Sequence, residues 1–265
     1  MAKPKLDKFI MDLISDIDKL SRLLKNFTNV TNNKAFQNIT ASLRRTNKFK
    51  YAPEPLELSF ENDKLPKHLS HSNIENLRLY FSVDLNIEYK KIAKNEDPFN
   101  ELEFNIYAYG MNKNNRNGSE LVYSIHFDKH ICKKGDNPSK EVHPMYHFQF
   151  GGRKLKEKNI DIGQALFFDA PRIMHHPMEF ILGLDFVLSN FFPDVWEKLR
   201  ENPEYVNILK KYQEYFVLPY YKSIVDYFDS TVLKPAPWNA QKIYPQLVEK
   251  MDDPKQIGRK RDSHE

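Results

Sequence analysis

Apolar residues recur at helical spacing along the first part of the chain. Between residues 6 and 27 they fall three or four positions apart, with Asp, Lys and Ser on the opposite face. This pattern predicts an amphipathic helix. A second helix is predicted over residues 33–45, and the Pro-rich segment that begins at Tyr51 ends the region. We therefore expect residues 1–50 to form an N-terminal helical segment.

The hydrophobic period changes to two from Asn76 to Tyr89, where apolar and polar residues alternate. Such alternation predicts a strand with one covered face. Similar short runs begin at Leu102, Leu121, Tyr146 and Gln164. A turn-rich segment, residues 112–119, joins two of them, which is typical of an antiparallel sheet. We expect residues 51–192 to form the sheet core with a closing helix.

The pattern is helical again after Pro177. An apolar stripe runs from Phe180 to Phe191 and ends at Pro193. Further helices are predicted over 194–200 and 204–228, with an interruption near Pro219, so that residues 193–232 form C-terminal helices. Residues 233–265 are expected to be a loosely structured tail. The predicted fold class is α+β, an antiparallel β-sheet of about five strands flanked by N-terminal and C-terminal helices.

The composition limits the classes of protein to which this chain can belong. Of 265 residues 40% are apolar, including 19 Phe and 14 Tyr, which is typical of a folded chain. The net charge of +4 is weak support for nucleic-acid binding. Cys132 is the one cysteine and excludes an internal disulfide. The N-terminus has no apolar signal core, and the longest apolar stretch is too short to span a bilayer. We expect a cytoplasmic protein without a membrane partner.

Histidines are concentrated in one part of the sequence. Six of the nine fall between residues 126 and 176, namely His126, His130, His143, His147, His175 and His176. Histidine changes charge near neutral pH and is the commonest metal ligand. The concentration therefore indicates a site of chemistry.

Two pairs, His126/His130 and His143/His147, have the HxxxH spacing of helical zinc sites. That spacing chelates one ion only where a helical turn brings residues i and i+4 together. On a strand the same residues stand about 13 Å apart, and Pro144 disfavours a helix through the second pair. We therefore reject the helical zinc site.

Pairing of two strands brings the histidines together in another way. His126, Asp128 and His130 share one face of their strand, and His147 and Gln149 share one face of the next. A hairpin centred near residues 136–137 would place His126 opposite His147 and His130 opposite His143, with facing Cβ atoms about 5 Å apart. A shift of one residue would turn the whole set to the other face.

Such a patch has two possible chemistries. Two imidazoles and a carboxylate can hold a divalent metal with open positions, or they can act as general acid and base in metal-free phosphodiester cleavage. A basic run follows Gly152 and would attract phosphate. The candidate catalytic residues are His126, Asp128, His143, His147 and Arg172. The candidate substrate-binding residues are Gln149, Arg153, Lys154 and His176.

Other interpretations of these residues stay open. Histidines on a polar sheet face are often solvated or hydrogen-bonded, and a lysine run is often a solvated loop. His126-x-Asp128 followed by His175 or His176 is similar to the metal-binding triad of non-haem iron oxygenases. In those enzymes the distal histidine lies on a strand, whereas here both candidates precede a helix.

The segment from His143 to Gly152, with Ala170-Pro-Arg172 and His176-Pro-Met downstream, resembles a bacterial family of unknown function. That family has an H-P-x-x-H strand, a downstream Arg near a Pro and an apolar helix that begins at Pro. The resemblance covers about residues 75–192 and singles out His143, Pro144, His147 and Arg172. It implies a cytosolic protein of defence-related or mobile bacterial loci, and it brings no established mechanism.

Two functions follow as hypotheses. The first is a bacterial defence or toxin-like hydrolase that acts on nucleic acid or a nucleotide through the histidine-rich sheet, with or without a divalent metal. The second is a non-catalytic binding module or subunit of a defence complex. In it the helical ends, residues 6–27 and 204–228, contact a protein partner or a second copy, because aromatic residues are enriched at interfaces.

Overall fold

The computed structural model describes residues 7–60, 65, 69, 74–113, 120–129, 143–151, 172–229 and 238–247. The helices are α1 (Lys8–Leu24), α2 (Lys34–Thr46), α3 (Phe180–Phe191), α4 (Pro193–Arg200), α5 (Pro203–Tyr212), α6 (Leu218–Phe228) and α7 (Ala240–Ile243). The strands are β1 (Val30–Asn32), β2 (Phe49–Tyr51), β3 (Leu56–Ser59), β4 (Ile74–Ile87), β5 (Phe99–Asn112), β6 (Glu120–Lys129), β7 (Tyr146–Phe150) and β8 (Ile173–Met174). A 3₁₀ turn, Tyr89–Lys94, precedes β5.

The strands form one antiparallel sheet in the order β1-β3-β4-β5-β6-β7-β8, and β2 pairs with the other half of β4. Helices lie at both ends of the chain, so the predicted α+β class is confirmed. The described residues contain eight strands, against about five expected. The sequence missed β1, β2, β3 and β8 because each has only two to four residues, too few to establish a period of two. The strand predicted at Gln164 lies outside the described residues.

The two faces of the sheet have different compositions. On one face, apolar side chains of the central strands are buried, among them Phe81, Phe104 and Phe127. Helix α3 packs there so closely that a Cβ on Gly183 would lie 2.7 Å from the Phe104 ring. The alternation of each strand therefore sends its polar residues to the face away from α3. The ionisable and polar side chains that could take part in catalysis or ligand binding are concentrated on this second face.

The first helix begins with an N-cap formed by an aspartate side chain. Asp7 is the N-cap of α1 and its side chain accepts a hydrogen bond from the Phe9 amide. The apolar stripe of α1 is buried in the core, including Ile10, Ile17 and Leu20. Helices α1 and α2 lie within a few residues of the bounds predicted for them.

The C-terminal helices contain one irregularity. The chain runs from α5 into α6 through a π-helical segment, Gln213–Val217, just before Pro219. Proline has no amide hydrogen to donate within a helix, and a widened turn accommodates this. The interruption expected near Pro219 is thus a local π-turn. Further along, Trp238 and Ile243 are buried in the core, so part of the segment expected to be loose packs against the domain.

No helix among the described residues is long and apolar enough to cross a membrane.

Helix α3 begins at a buried carboxyl group. Glu179 is fully buried and accepts hydrogen bonds from the amides of Ile181 and Leu182, each at 2.8 Å. Tyr51 Oη accepts from the Phe180 amide at 3.2 Å beside it. Burial raises the pKa of Glu179 from 4.5 to about 7, although the two amide hydrogen bonds oppose the shift. The folded protein therefore favours the protonated form.

This shift predicts a pH dependence of stability. Glu179 stabilises the fold most below about pH 4.5, and its contribution is lost as pH rises to about 7, because the folded state then holds the more costly charge. The loss is at most about 3 kcal/mol. We expect Glu179→Gln to reduce the difference in unfolding free energy between pH 5 and pH 7.5, measured by urea titration. The exposed Glu204→Gln is the control, and equal pH dependence in both variants would contradict the prediction.

Candidate active site

The candidate site lies where β6 pairs with β7. In the observed register Asp128 is opposite His147 and His126 is opposite Gln149. The predicted pairing of His126 with His147 is therefore wrong by two residues. A shift of two preserves the alternation, so His126, Asp128, His147 and Gln149 still share the polar face as expected. The expected partner of His143, His130, lies outside the described residues.

A polar cluster on the opposite face accounts for this register. Lys129 and Tyr146 are register partners, and both bind the same carboxylate. Lys129 Nζ lies 2.8 Å from Asp97 Oδ2, and Tyr146 Oη donates to Asp97 Oδ1 at 2.7 Å. This shared contact of two half-buried charges and a buried tyrosine stabilises the observed pairing. Sequence spacing alone carries no information about this contact.

The register brings three possible ligand groups together. His147 Nε2 lies 3.1 Å from Asp128 Oδ1, and His126 Nε2 lies 4.0 Å from Asp128 Oδ2. One ligand atom from each of the three side chains lies within 4.8 Å of the others. We call His126, Asp128 and His147 the triad. It is the one group within the described residues with the composition and spacing of a metal site.

Burial differs across the triad. The His147 side chain is 2% exposed, whereas His126 is 21% and Asp128 33% exposed. His147 thus forms the floor of the site, and the other two side chains reach solvent. Its ring packs edge to face against His143, with centroids 4.5 Å apart. His143 therefore contacts the triad even though it lies before β7.

Arg172 and Gln149 also belong to the site. Arg172 precedes β8, two residues before Met174, which is the register partner of His147. Its positive charge lowers the pKa of both Asp128 and His147, so it lies within electrostatic reach of each. Gln149 is buried opposite His126. The structure therefore brings together every described residue predicted to be catalytic.

The electrostatics of the triad depend mainly on burial. Burial, together with the Glu103 charge and against a smaller opposing effect of Arg172, raises the pKa of Asp128 to about 6. Burial, together with the charges of His143, Arg172 and His126, lowers the pKa of His147 to about 3. At neutral pH His147 is therefore an uncharged imidazole next to an ionised carboxylate. Uncharged imidazole is the form that accepts a proton or binds a metal.

Sequence reasoning missed one residue of the site. Glu103 on β5 is the register partner of Asp128 and raises its pKa. Asn105 Nδ2 donates to Glu103 Oε1 at 3.1 Å and is itself opposite His126. The polar positions of β5 were visible as an alternation, but their alignment with β6 depends on register. A search for carboxylates on the strands that neighbour the histidines could have found Glu103.

His176 lies elsewhere. The His175 ring contacts Phe127, a residue of the core face, and His176 Nδ1 lies 3.2 Å from Tyr221 Oη on α6. The observed contacts of His176 are thus on the helical side of the sheet, against its predicted role with the triad. Burial and His175 lower its pKa to about 3. The other predicted substrate-binding residues, Arg153 and Lys154, lie outside the described residues.

The sequence pattern similar to the triad of non-haem iron oxygenases, His126-x-Asp128 with His175 or His176, corresponds to a different set of residues in the folded chain. The histidine that joins His126 and Asp128 is His147 on a neighbouring strand, not His175 or His176. Two imidazoles and one carboxylate can hold a divalent ion with open positions, or they can transfer protons without one. Both chemistries need the side chains within a few ångströms of one another, as they are here.

Comparisons of the chain with protein-family models, with curated proteins and with solved structures gave no match. The case for a function therefore rests on the site itself.

Proposed function

We propose that this chain is a hydrolase that cleaves a phosphate ester in a nucleotide or nucleic acid, as a bacterial defence or toxin-like protein. The observation that carries the proposal is the 3.1 Å contact between His147 and Asp128, with His126 and Arg172 beside it. The histidines and Asp128 can transfer protons or bind a metal, and Arg172 adds a fixed positive charge. Hydrolysis of a phosphate ester uses proton transfer or a metal together with stabilisation of the phosphate charge.

The reaction assigns a role to each side chain. Water attacks phosphorus, the ester P–O bond breaks, one hydrogen of the water goes to the departing oxygen, and the other is released from the phosphate product. His147, with Nε2 3.1 Å from Asp128 Oδ1, lies at the floor of the site and would activate the attacking water. His126 is more exposed and supplies a proton to the departing oxygen or a ligand to an ion. His143 packs against His147 and keeps its ring in place.

Arg172 is suited to bind the phosphate group. A guanidinium binds phosphate oxygens in a bidentate manner and stays charged at all relevant pH values. Its charge acts on both Asp128 and His147, so a phosphate bound to it would lie next to the triad. The net charge of +4 adds little to attraction over longer distances, so phosphate binding depends on charges at the site such as that of Arg172.

The first prediction for the proposed activity concerns the triad. We expect His147→Gln and Asp128→Asn each to lower kcat by about 10²- to 10⁴-fold, because each removes a group used in proton transfer or ion binding. The substrates would be bis(p-nitrophenyl) phosphate, nucleotides, and labelled RNA and DNA strands, tested with and without divalent ions. Circular dichroism would show that both variants are folded.

Two matched substitutions away from the triad control this experiment. Asp226→Asn removes a carboxylate that pairs with Lys222 on α6, and His175→Gln changes a histidine on the helical side of the sheet. Both variants should keep wild-type activity. Absence of hydrolysis by the wild-type protein on all substrates, or full activity of His147→Gln, would contradict the proposal.

The second prediction separates substrate binding from proton transfer. Arg172→Ala should raise KM for a phosphodiester by roughly 10- to 100-fold, because a charge-assisted contact to phosphate is lost. Arg172→Lys keeps the charge but loses the bidentate geometry, so its KM should lie between those of the wild-type protein and Arg172→Ala. Steady-state kinetics measure kcat and KM. An unchanged KM in Arg172→Ala would show that the phosphate binds elsewhere.

A second function has one observation in its favour. Four apolar side chains on α6 are 44–70% exposed and recur at intervals of three, four and three residues: Leu218, Tyr221, Val225 and Phe228. This spacing forms one stripe along a helix, which is the seam that two packed helices share. The apolar stripe of α1, in contrast, is buried in the core. A binding role would therefore use α6, and a second copy could pair through it.

The test of this second function is the association state. If α6 mediates self-association, the wild-type chain should sediment as a dimer at micromolar concentration, and Val225→Asp with Phe228→Asp should return it to a monomer. Lys222→Ala, on the same helix but outside the stripe, is the control. A monomeric wild-type protein over the whole concentration range would contradict self-association.

A further inference from the structure

One distance within the triad equals that between two ligands of a single bound ion, and the third side chain lies slightly farther away. Ligand atoms at about 2.0–2.2 Å from one metal, separated by angles of 90–110°, lie about 3.0–3.5 Å from each other. His147 Nε2 and Asp128 Oδ1 are 3.1 Å apart. His126 Nε2 is 4.0 Å from Asp128 Oδ2, and the whole set lies within 4.8 Å. The partly exposed His126 ring would have to move closer to complete the set.

The backbone holds these groups in place. His126 and Asp128 are two residues apart on β6 and therefore point to the same face, and His147 is the direct register partner of Asp128. The three side chains come from two hydrogen-bonded strands in the interior of the sheet, with β5 on one side and β8 on the other. Sites on rigid elements hold ligand geometry more closely than sites on loops.

The burial gradient leaves room for further ligands. His147 is 2% exposed and its ring is fixed against His143 at 4.5 Å. Asp128 and His126 lie toward solvent. An ion bound among them would have three protein ligands and an exposed side. Three protein ligands with a remaining position for water are typical of catalytic metal sites, whereas structural sites are closed by four.

The donor set selects the kind of ion. Two imidazole nitrogens and one carboxylate oxygen suit zinc, iron(II), cobalt(II) and nickel(II), while magnesium and calcium prefer an all-oxygen set. The Glu103 carboxylate is opposite Asp128 in register and adds negative charge nearby. A divalent cation would compensate for these two carboxylates. Arg172 cannot be a ligand and remains available for phosphate.

We propose that His126, Asp128 and His147 together bind one divalent first-row transition-metal ion, with zinc the first candidate, and leave its exposed side open to water. The catalytic consequence rests on the proposed hydrolase function: the ion would lower the pKa of bound water and polarise a phosphate oxygen. Ion binding itself can be measured without a substrate.

The experiment measures ion binding to the full chain. Protein stripped with a chelator would be titrated with ZnCl₂ in competition with a chromophoric chelator. The ion content of untreated protein would be determined by mass spectrometry. We expect one ion per chain and at least a 100-fold loss of affinity in His147→Gln and in Asp128→Asn. His126→Gln should also weaken binding. Thermal unfolding should show a zinc-dependent rise in Tm for the wild-type chain and none for His147→Gln.

Three controls identify the site that binds. His175→Gln and Asp226→Asn should bind zinc as the wild-type chain does. Cys132→Ser tests whether the cysteine takes part, and it should leave affinity unchanged. Cobalt(II) bound to the wild-type protein should show visible d–d bands without the near-ultraviolet band of a thiolate ligand. Binding that depends on Cys132 but not on His147 would overturn the inference, as would wild-type affinity weaker than about 10 µM.

The outcomes separate this inference from the proposed function. Zinc bound at the triad without any phosphate-ester hydrolysis would support the metal site and contradict the hydrolase. Hydrolysis by stripped protein that binds no ion would support the hydrolase and overturn the metal site. Loss of both zinc binding and hydrolysis in a folded His147→Gln variant would support both.

Discussion

The register between β6 and β7 is stabilised by one half-buried carboxylate. Asp97 binds Lys129 from one strand and Tyr146 from the other, which are opposite each other in the sheet. Because the strands are rigid and alternate with a period of two, fixing one pair on the core face also fixes the pairs on the polar face. Asp128 is thereby aligned with His147. The geometry of the triad is therefore a consequence of an interaction on the opposite side of the sheet.

The two faces of the sheet have different roles, one in stability and the other in the candidate chemistry. Its core face carries aromatic residues such as Phe81, Phe104 and Phe127 against α3, and this face provides most of the burial that stabilises the fold. Its polar face carries buried ionisable groups, which cost stability wherever they are held away from water. Asp128 with a raised pKa and His147 with a lowered one are examples. Ionisable groups that are kept buried despite this cost in stability are often functional.

The candidate site was predictable in its composition but not in its contacts. Alternation placed His126, Asp128, His147 and Gln149 on one face, and the structure agrees. The pair that meets is Asp128 with His147, two residues from the predicted pairing, because loop length does not define where a hairpin closes. Glu103 escaped attention because its alignment with Asp128 depends on the register between β5 and β6. His176 was predicted to bind substrate, and its observed hydrogen-bond distance is to Tyr221 on α6.

The sequence by itself determined the fold class, the approximate bounds of the longer elements and the shared face of His126 and His147, because these follow from local periodicity. Tertiary structure decided the rest: the register of β6 on β7, the packing of His147 against His143, and the proximity of Arg172, just before β8, to the triad. These depend on contacts between residues far apart in the chain, such as Asp97 with Tyr146, whose free energies no local pattern encodes.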